Sequence, residues 1–157
     1  MIRWKTKGVQ WLNAESEPVF LKDIIQKIDN DMYEIHVGCD SHFKGGMYVF
    51  AIVIAAYKRG NGGIYYFYRK KSDDKRLDNM KVRLLKETEL AIAIADELKS
   101  KKFKQHISVH LDINPKKQFA SSVVLTRAVS WVESSGYTPI VKPGSWASSC
   151  LADAYAK

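Results

Sequence analysis

Three strand-like segments follow one another in the first half of the chain, joined only by short turns that contain glycines. The first, Tyr33–Asp40, alternates apolar and polar residues, as expected for a strand whose successive side chains point to opposite faces. The second, Met47–Tyr57, is an unbroken apolar run, and the third, Ile64–Tyr68, is rich in aromatic residues. The turn at 58–63 is glycine-rich, but no helix with a P-loop lysine follows it. The pattern therefore predicts three antiparallel strands.

Helices and strands alternate in the rest of the chain. The predicted elements are a helix at Val19–Ile28, a long helix from Asp78 or Asn79 to Lys99, a strand at His106–Asp112, a helix at Phe119–Glu133, a strand at Tyr137–Val141 and a terminal helix at Trp146–Ala156. This order predicts an α/β fold with a mixed five-stranded sheet, three antiparallel strands then two parallel, and helices on both faces. The 157 residues fit a single domain. Residues 1–17 show no periodicity and form a candidate N-terminal arm, which Trp4 and Trp11 could attach to the domain.

Acidic residues end two of the predicted strands and interrupt two of the helices. Asp40 and Asp112 follow apolar strands, at the edge of the sheet where ligands usually bind in open α/β folds. Glu87 falls on the apolar stripe of the long helix, where a carboxylate is costly unless it is paired or bound to a metal. Glu89 lies on a flank that becomes polar sooner and is the reserve candidate. Asp153 lies on or beside the inward side of the terminal helix, for which the spacing predicts packing by Ala147, Cys150, Leu151 and Ala154.

The topology predicts that four acids converge on one edge of the sheet: Asp40, Glu87, Asp112 and Asp153. Carboxylates packed together raise each other's pKa, so such clusters are expected where divalent cations neutralise them. Oxygen ligands select hard ions such as Mg²⁺ or Mn²⁺, and two ions roughly 3.5–4 Å apart can hold the attacking water and the leaving oxygen of a phosphodiester. Two of these acids also have an ordinary alternative: Asp40 could be a turn residue, and Glu87 could reach a lysine at the rim.

Three histidines and one lysine lie near these acids in the sequence. His42, beside Asp40, and Lys142, ahead of the terminal helix, are candidate phosphate contacts or proton shuttles; the alternative for Lys142 is a solvated loop lysine. His36 and His110 are expected to be buried and hydrogen-bonded to neighbours, and both could be ligands if the metal were Zn²⁺ or Mn²⁺.

The charge balance favours a polyanionic partner. Lys and Arg number 25 against 17 Asp and Glu, a formal net charge of +8, and such an excess promotes binding to nucleic acid through counterion release. The sequence contains no stretch of about 18 apolar residues, so it predicts no membrane span. The basic start of the chain lacks the apolar segment of a signal peptide, so a cytoplasmic location is expected. The two cysteines, Cys39 and Cys150, fit reduced, buried thiols.

Four motifs taken together resemble a known family. GCDSH at 38–42, RLLKE at 83–87, HLDIN at 110–114 and KPGSWASSCLADAYAK at 142–157 resemble the YkuK family of bacterial proteins, which is classed as ribonuclease H-like. The order of elements and the positions of the acids are similar to the ribonuclease H-like superfamily over roughly residues 18–157. The chain has Cys39 and His42 where the family favours Thr and Gln. Ribonuclease H itself has a Glu-Leu pair that could match Glu89-Leu90 in place of Glu87.

The resemblance implies metal-dependent cleavage of a nucleic-acid backbone, whether RNA, DNA or a hybrid. Asp40 would bridge two metal ions, Mg²⁺ or Mn²⁺; Glu87 and Asp112 would hold one of them, and Asp153 would complete the second site. Water bound to metal would be the nucleophile. Two other functions remain open: a nucleic-acid-binding module without turnover, and a metal-dependent phosphatase that uses the same acids on a small phosphate ester.

Overall fold

The computed structural model describes residues 1–5 and 8–157, which form a mixed sheet with helices on both faces. The strands are β1 (Trp11–Leu12), β2 (Pro18–Val19), β3 (Glu34–Lys44), β4 (Met47–Tyr57), β5 (Gly63–Ser72), β6 (Ile107–His110) and β7 (Thr138–Ile140). The α-helices are α1 (Leu21–Ile28), α2 (Met80–Ser100), α3 (Leu125–Ser134) and α4 (Asp153–Ala156), and 3-10 turns lie at Lys75–Asp78 and Ala120–Val124. A π-helical segment, Ala147–Ala152, leads directly into α4; the two together are called the terminal helix below. No helix in the described part of the chain is long and apolar enough to cross a membrane.

The sheet has the predicted arrangement at its centre and two additional strands at one edge. Across the sheet the order is β2-β1-β5-β4-β3-β6-β7, with β3, β4 and β5 antiparallel and β6 and β7 parallel to β3. The described residues thus form seven strands, and the predicted number of five is wrong. β1 and β2 have two residues each, too few to show alternation in a sequence. β1 belongs to the candidate N-terminal arm, of which Thr6 and Lys7 lie outside the described residues, and β2 follows the arm directly.

β1 attaches this arm to the sheet through backbone pairing and an aromatic contact. Leu12 pairs with Phe67 of β5. Trp11 is buried and packs edge-on against Tyr68, with ring centroids 4.7 Å apart. Trp4 makes a similar contact with Phe50, at 5.5 Å between centroids. Both tryptophans therefore anchor the segment, as the sequence suggested.

β3 continues beyond Asp40 and ends at Lys44. On one side β3 pairs with β4 along its whole length, whereas its parallel pairing with β6 stops at Gly38. Asp40 therefore lies inside a strand and not at its end, contrary to the prediction. The long antiparallel partner satisfies the backbone of β3 past Asp40, so a polar residue there does not end the strand. Because β6 has already stopped, Asp40 still lies at an open edge of the sheet.

Each face of the sheet has its own apolar core. α1, α2 and α3 cover one face, where Ile24, Leu98 and Val132 are fully buried. The terminal helix covers the other face, with Ala152 and Ala156 packed against β4 and β5. The helices therefore lie on both faces, as predicted.

The long helix α2 matches its prediction closely. Asn79 caps its N-terminus, because its Oδ1 accepts hydrogen bonds from the backbone N–H groups of Lys81 and Val82 at 2.9 and 3.2 Å. The predicted stripe is buried at Glu87, Ala91, Ile94 and Leu98. This register turns Glu87 toward the sheet.

The terminal helix packs differently from its prediction because its first part is π-helical. The buried alanines are Ala147, Ala152 and Ala156, whereas Cys150 and Ala154 are exposed. A π-helical turn closes hydrogen bonds from residue i to i+5, so inward residues follow a longer spacing than the α-helical period assumes. Of the two cysteines, Cys39 is buried as expected and Cys150 is not.

Gly38 allows the terminal helix to approach β3 closely. A Cβ atom at Gly38 would lie 2.7 Å from the carbonyl carbon of Ala147 and 2.7 Å from the amide nitrogen of Ser148. These are backbone atoms and cannot rotate away, so a side chain at this position would push the helix off the strand. The contact holds the helix that carries Asp153 beside the strand that carries Asp40.

Candidate metal centre

The structure brings the four predicted acids together in two groups that share Asp40. The first group is Asp40, Glu87 and Asp112, and the second is Asp40, His42 and Asp153; in each, one potential ligand atom per residue lies within 4.8 Å of the others. Only Asp40 belongs to both groups among the described residues. The arrangement offers two neighbouring cation positions with one common carboxylate.

Three different elements supply the first group. Asp40 comes from the open edge of β3, Asp112 lies two residues beyond the end of β6, and Glu87 points from the middle of α2. Ser41 connects two of them, because its backbone N–H donates to Asp40 Oδ1 at 2.9 Å and its hydroxyl donates to Glu87 Oε2 at 3.1 Å. Glu89, the reserve candidate, is exposed and its Oε2 lies 2.5 Å from Lys86 Nζ. Glu87 is therefore the helix glutamate that lies in the cluster.

β3 and the terminal helix supply the second group. Asp40 and His42 are two residues apart on β3 and share a face of the strand. His42 Nε2 lies 2.7 Å from Asp153 Oδ1 and 3.6 Å from Asp40 Oδ2. Lys157, one helical turn after Asp153, places its Nζ 2.9 Å from Asp153 Oδ2. His42 thus stands between the two carboxylates of this group.

Burial and mutual repulsion disfavour the ionised forms of the two innermost acids, Asp40 and Glu87, when no cation is bound. Burial, followed by the charge of Asp112, raises the pKa of Asp40 to about 8. Burial, followed by the charges of Asp40 and Asp112, raises the pKa of Glu87 well above its usual value. Glu87 Oε1 is also buried without a hydrogen-bond partner among the described residues. A divalent cation would relieve both the repulsion and the unsatisfied oxygen.

The two outer acids have lysine partners instead. Burial raises the pKa of Asp153, but hydrogen bonds from His42 and Lys157 outweigh it and hold the pKa at about 2. Lys142 Nζ lies 2.8 Å from Asp112 Oδ1, and this ion pair raises the pKa of Lys142. The side chains of Lys142 and Lys157 are 39% and 64% exposed, so either ammonium group can move aside for a cation. The donor set of carboxylate oxygens and one imidazole nitrogen could hold a divalent metal ion.

His36 and His110 form a separate buried pair. The backbone N–H of Ala147 donates to His110 Nδ1 at 3.0 Å, which leaves the proton of His110 on Nε2. That Nε2–H donates to His36 Nδ1 at 2.8 Å. Burial lowers the pKa of both residues, and that of His110 falls to about 3. The expectation of buried, hydrogen-bonded histidines is confirmed; among the described residues neither belongs to the two groups.

Sequence reasoning missed three residues that shape the site. Gly38 sets the approach of the terminal helix, and Ser41 links Asp40 to Glu87. The third is Lys157, which the spacing of four residues from Asp153 on a helix could have revealed. Lys142 was named, and its ion pair with Asp112 shows that it is not a freely solvated loop lysine.

The fold and the cluster define an α/β protein with a carboxylate-rich centre suited to divalent cations. A family model described as Ribonuclease H-like matches residues 20–157. The chain belongs to this ribonuclease H-like family, which confirms the resemblance drawn from its motifs. No match was found among curated proteins or among solved structures.

Proposed function

We propose that this protein is a metal-dependent nuclease that hydrolyses phosphodiester bonds of a nucleic acid by a two-metal mechanism. The observation that carries the proposal is the sharing of Asp40 by two groups of three potential ligands. Membership of the ribonuclease H-like family and a formal net charge of +8 support it. An isolated structural acid would explain neither the second group nor the raised pKa of both Asp40 and Glu87.

Each residue has a distinct role in this proposal. Asp40 would be shared by both cation positions, Glu87 and Asp112 would complete the first, and Asp153 with His42 would complete the second. When bound, a pair of Mg²⁺ or Mn²⁺ ions would activate a water molecule and stabilise charge on the leaving oxygen. His42 Nε2, 2.7 Å from Asp153 Oδ1, is the nitrogen that the second group would offer to a cation. Lys142 can turn from Asp112 to a substrate phosphate.

A cleavage assay with matched variants tests the proposal. Labelled RNA, DNA and RNA–DNA hybrid would be incubated with Mg²⁺ or Mn²⁺ and with wild type, Asp40→Asn, Glu87→Gln or Glu89→Gln. Loss of a residue that merely supports a metal ligand costs about 10–100-fold, so we expect Asp40→Asn and Glu87→Gln to lose at least about 100-fold. Glu89→Gln is the control, because its carboxylate lies outside the cluster. Cleavage that persists in Asp40→Asn would overturn the proposal.

Two further measurements with the same variants, nucleic-acid binding and turnover of a small phosphate ester, distinguish the two other functions. Tight binding of nucleic acid that weakens steeply with salt, with no cleavage in either metal, would indicate a binding module. Turnover of a small phosphate ester alone, lost in Asp40→Asn, would indicate a phosphatase that uses the same carboxylates.

A further inference from the structure

A basic cleft lies beside the candidate metal centre, on the face of the sheet that carries the terminal helix. Its volume is about 420 Å³, within the range of ligand-binding pockets. Four basic side chains line it: Lys44, Arg69, Lys71 and Lys157. Met47 and Val49 provide apolar surface between them, and none of the described residues lining the cleft is acidic. Such a concentration of one charge is complementary to an anion.

The strand geometry makes the cleft a continuation of the metal centre. Asp40, His42 and Lys44 are alternate residues of β3 and share one face, with steps of about 7 Å. Lys44 pairs with Met47 across the turn, and Lys71 pairs with Val49. The row of side chains on β3 therefore begins at Asp40, in the metal centre, and ends at Lys44, in the basic cleft.

The terminal helix contacts or carries two of the four cations. Arg69 Nε donates to the backbone carbonyl of Tyr155 at 2.7 Å, and its guanidinium carbon lies 5.1 Å from the ring centroid of Phe67. Lys157 Nζ contacts Asp153 at 2.9 Å while the residue also lines the cleft. Lys157 thus connects the cleft to the second group, and a ligand that spans both would meet carboxylates at one end and cations at the other.

We propose that this cleft binds the phosphate backbone of a nucleic-acid strand that extends from the metal centre toward Lys44. The inference rests on the proposed function and adds where the strand lies. Lysine and arginine side chains that contact phosphates fix the position of a strand without selecting its sequence. The cleft is therefore expected to bind different sequences with similar affinity and with strong dependence on salt.

Binding without metal tests the cleft independently of cleavage. The probe is a fluorescein-labelled single-stranded oligothymidylate of about twelve nucleotides, titrated with protein in EDTA and followed by fluorescence anisotropy at several salt concentrations. The test variant is Lys44→Glu/Lys71→Glu. The control, Lys22→Glu/Lys27→Glu, makes the same change in net charge with exposed lysines of α1, which packs on the opposite face.

We expect the test variant to bind at least about 10-fold more weakly than wild type at low salt. The slope of log K against log salt should decrease by about 0.7 for each phosphate that the variant no longer neutralises. At about 0.1 M salt the control should bind within about threefold of wild type, because charges farther from the strand than the Debye length of about 10 Å are screened. Lys44→Gln/Lys71→Gln repeats the measurement without new negative charge, and circular dichroism verifies folding of every variant.

The outcomes distinguish this inference from the proposed nuclease function. Equal loss of binding in test and control variants, no loss in either, or no binding by wild type would each overturn the cleft as the binding path. If wild type nevertheless cuts nucleic acid in a metal-dependent way, the nuclease function stands without the cleft. Cleft-dependent binding with no cleavage in any metal would support the cleft and overturn the nuclease.

Discussion

Replacing Asp40 with Asn should stabilise the metal-free protein and remove most of the additional stability that bound metal gives. The pKa of Asp40 is about 8 in the fold and about 3.9 in an unfolded chain. Since the folded state holds the proton more tightly, the contribution of Asp40 to stability is complete below about pH 4 and is lost as pH rises through about 8. Each pKa unit corresponds to roughly 1.4 kcal/mol, which sets an upper limit near 6 kcal/mol.

The expected gain is smaller than this limit. Asp40 and Glu87 influence each other's charge, so part of the repulsion is relieved when either one is protonated. The amide of Asn can still accept the hydrogen bond from the N–H of Ser41. We expect the variant to be about 2 kcal/mol more stable than wild type near pH 9, which corresponds to a Tm about 4–8 °C higher.

Thermal unfolding is measured in EDTA at about pH 5.5 and pH 9, and again in Mg²⁺ or Mn²⁺ without EDTA. The first series measures the effect of the Asp40 charge on stability, and the second measures the stabilisation by metal. Without metal, the stability of Asp40→Asn relative to wild type should rise from the lower to the higher pH, because the lowered pKa values of His36 and His110 affect both proteins equally. With metal at about 100 times its Kd, wild type should gain about 2.7 kcal/mol and the variant much less. Glu133→Gln, which alters an exposed acid of α3, is the control and should behave like wild type in both conditions.

Two results would refute the reasoning. If metal-free Asp40→Asn were less stable than wild type near pH 9, the carboxylate would act as a structural hydrogen-bond acceptor and not as a repelled anion. If metal stabilised wild type and variant equally, Asp40 would not be a ligand.

Three further substitutions probe other contacts of the site. Glu87→Gln should weaken Mn²⁺ binding by at least about 10-fold in isothermal titration calorimetry, whereas Glu89→Gln should stay within about twofold; equal effects would contradict the choice of Glu87. Lys142→Met should tighten Mn²⁺ binding by about two- to fivefold, because an exposed ammonium group no longer competes for Asp112, and weaker binding would show that the lysine supports the site. Gly38→Ala should lower stability by about 1–3 kcal/mol in urea unfolding, since its Cβ would meet the backbone of the terminal helix at 2.7 Å; an unchanged midpoint would argue against that contact.

Features governed by local periodicity were predictable from the sequence. α2 is long, has a side-chain cap at Asn79 and keeps one buried stripe, so the cap and the spacing predicted its extent to within one or two residues and the inward direction of Glu87. β4 is apolar throughout and has the bounds that its apolar run predicted. In each case one local pattern decides the structure, and tertiary contacts reinforce it.

Features that depend on contacts with distant parts of the chain were not predictable in the same way. The continuation of β3 past Asp40 depends on β4 as a pairing partner, and β1 is a strand only because β5 lies beside it. The π-helical segment shifts the buried face of the terminal helix, and the sequence of Ala147–Ala152 contains no pattern that predicts a π-helix. Asp153 reaches the site nevertheless, because Gly38 fixes where the helix docks.

The lysines beside Asp112 and Asp153 act as tethered counterions. If divalent ions fill the two groups, uptake is an ion exchange in which a monovalent ammonium, still attached to the chain, gives way to a free divalent ion. The displaced ammonium groups of Lys142 and Lys157 remain within a side chain's length of the centre. Loading with metal would therefore leave two positive charges available at the moment when a phosphate approaches, so metal and substrate should each strengthen the binding of the other.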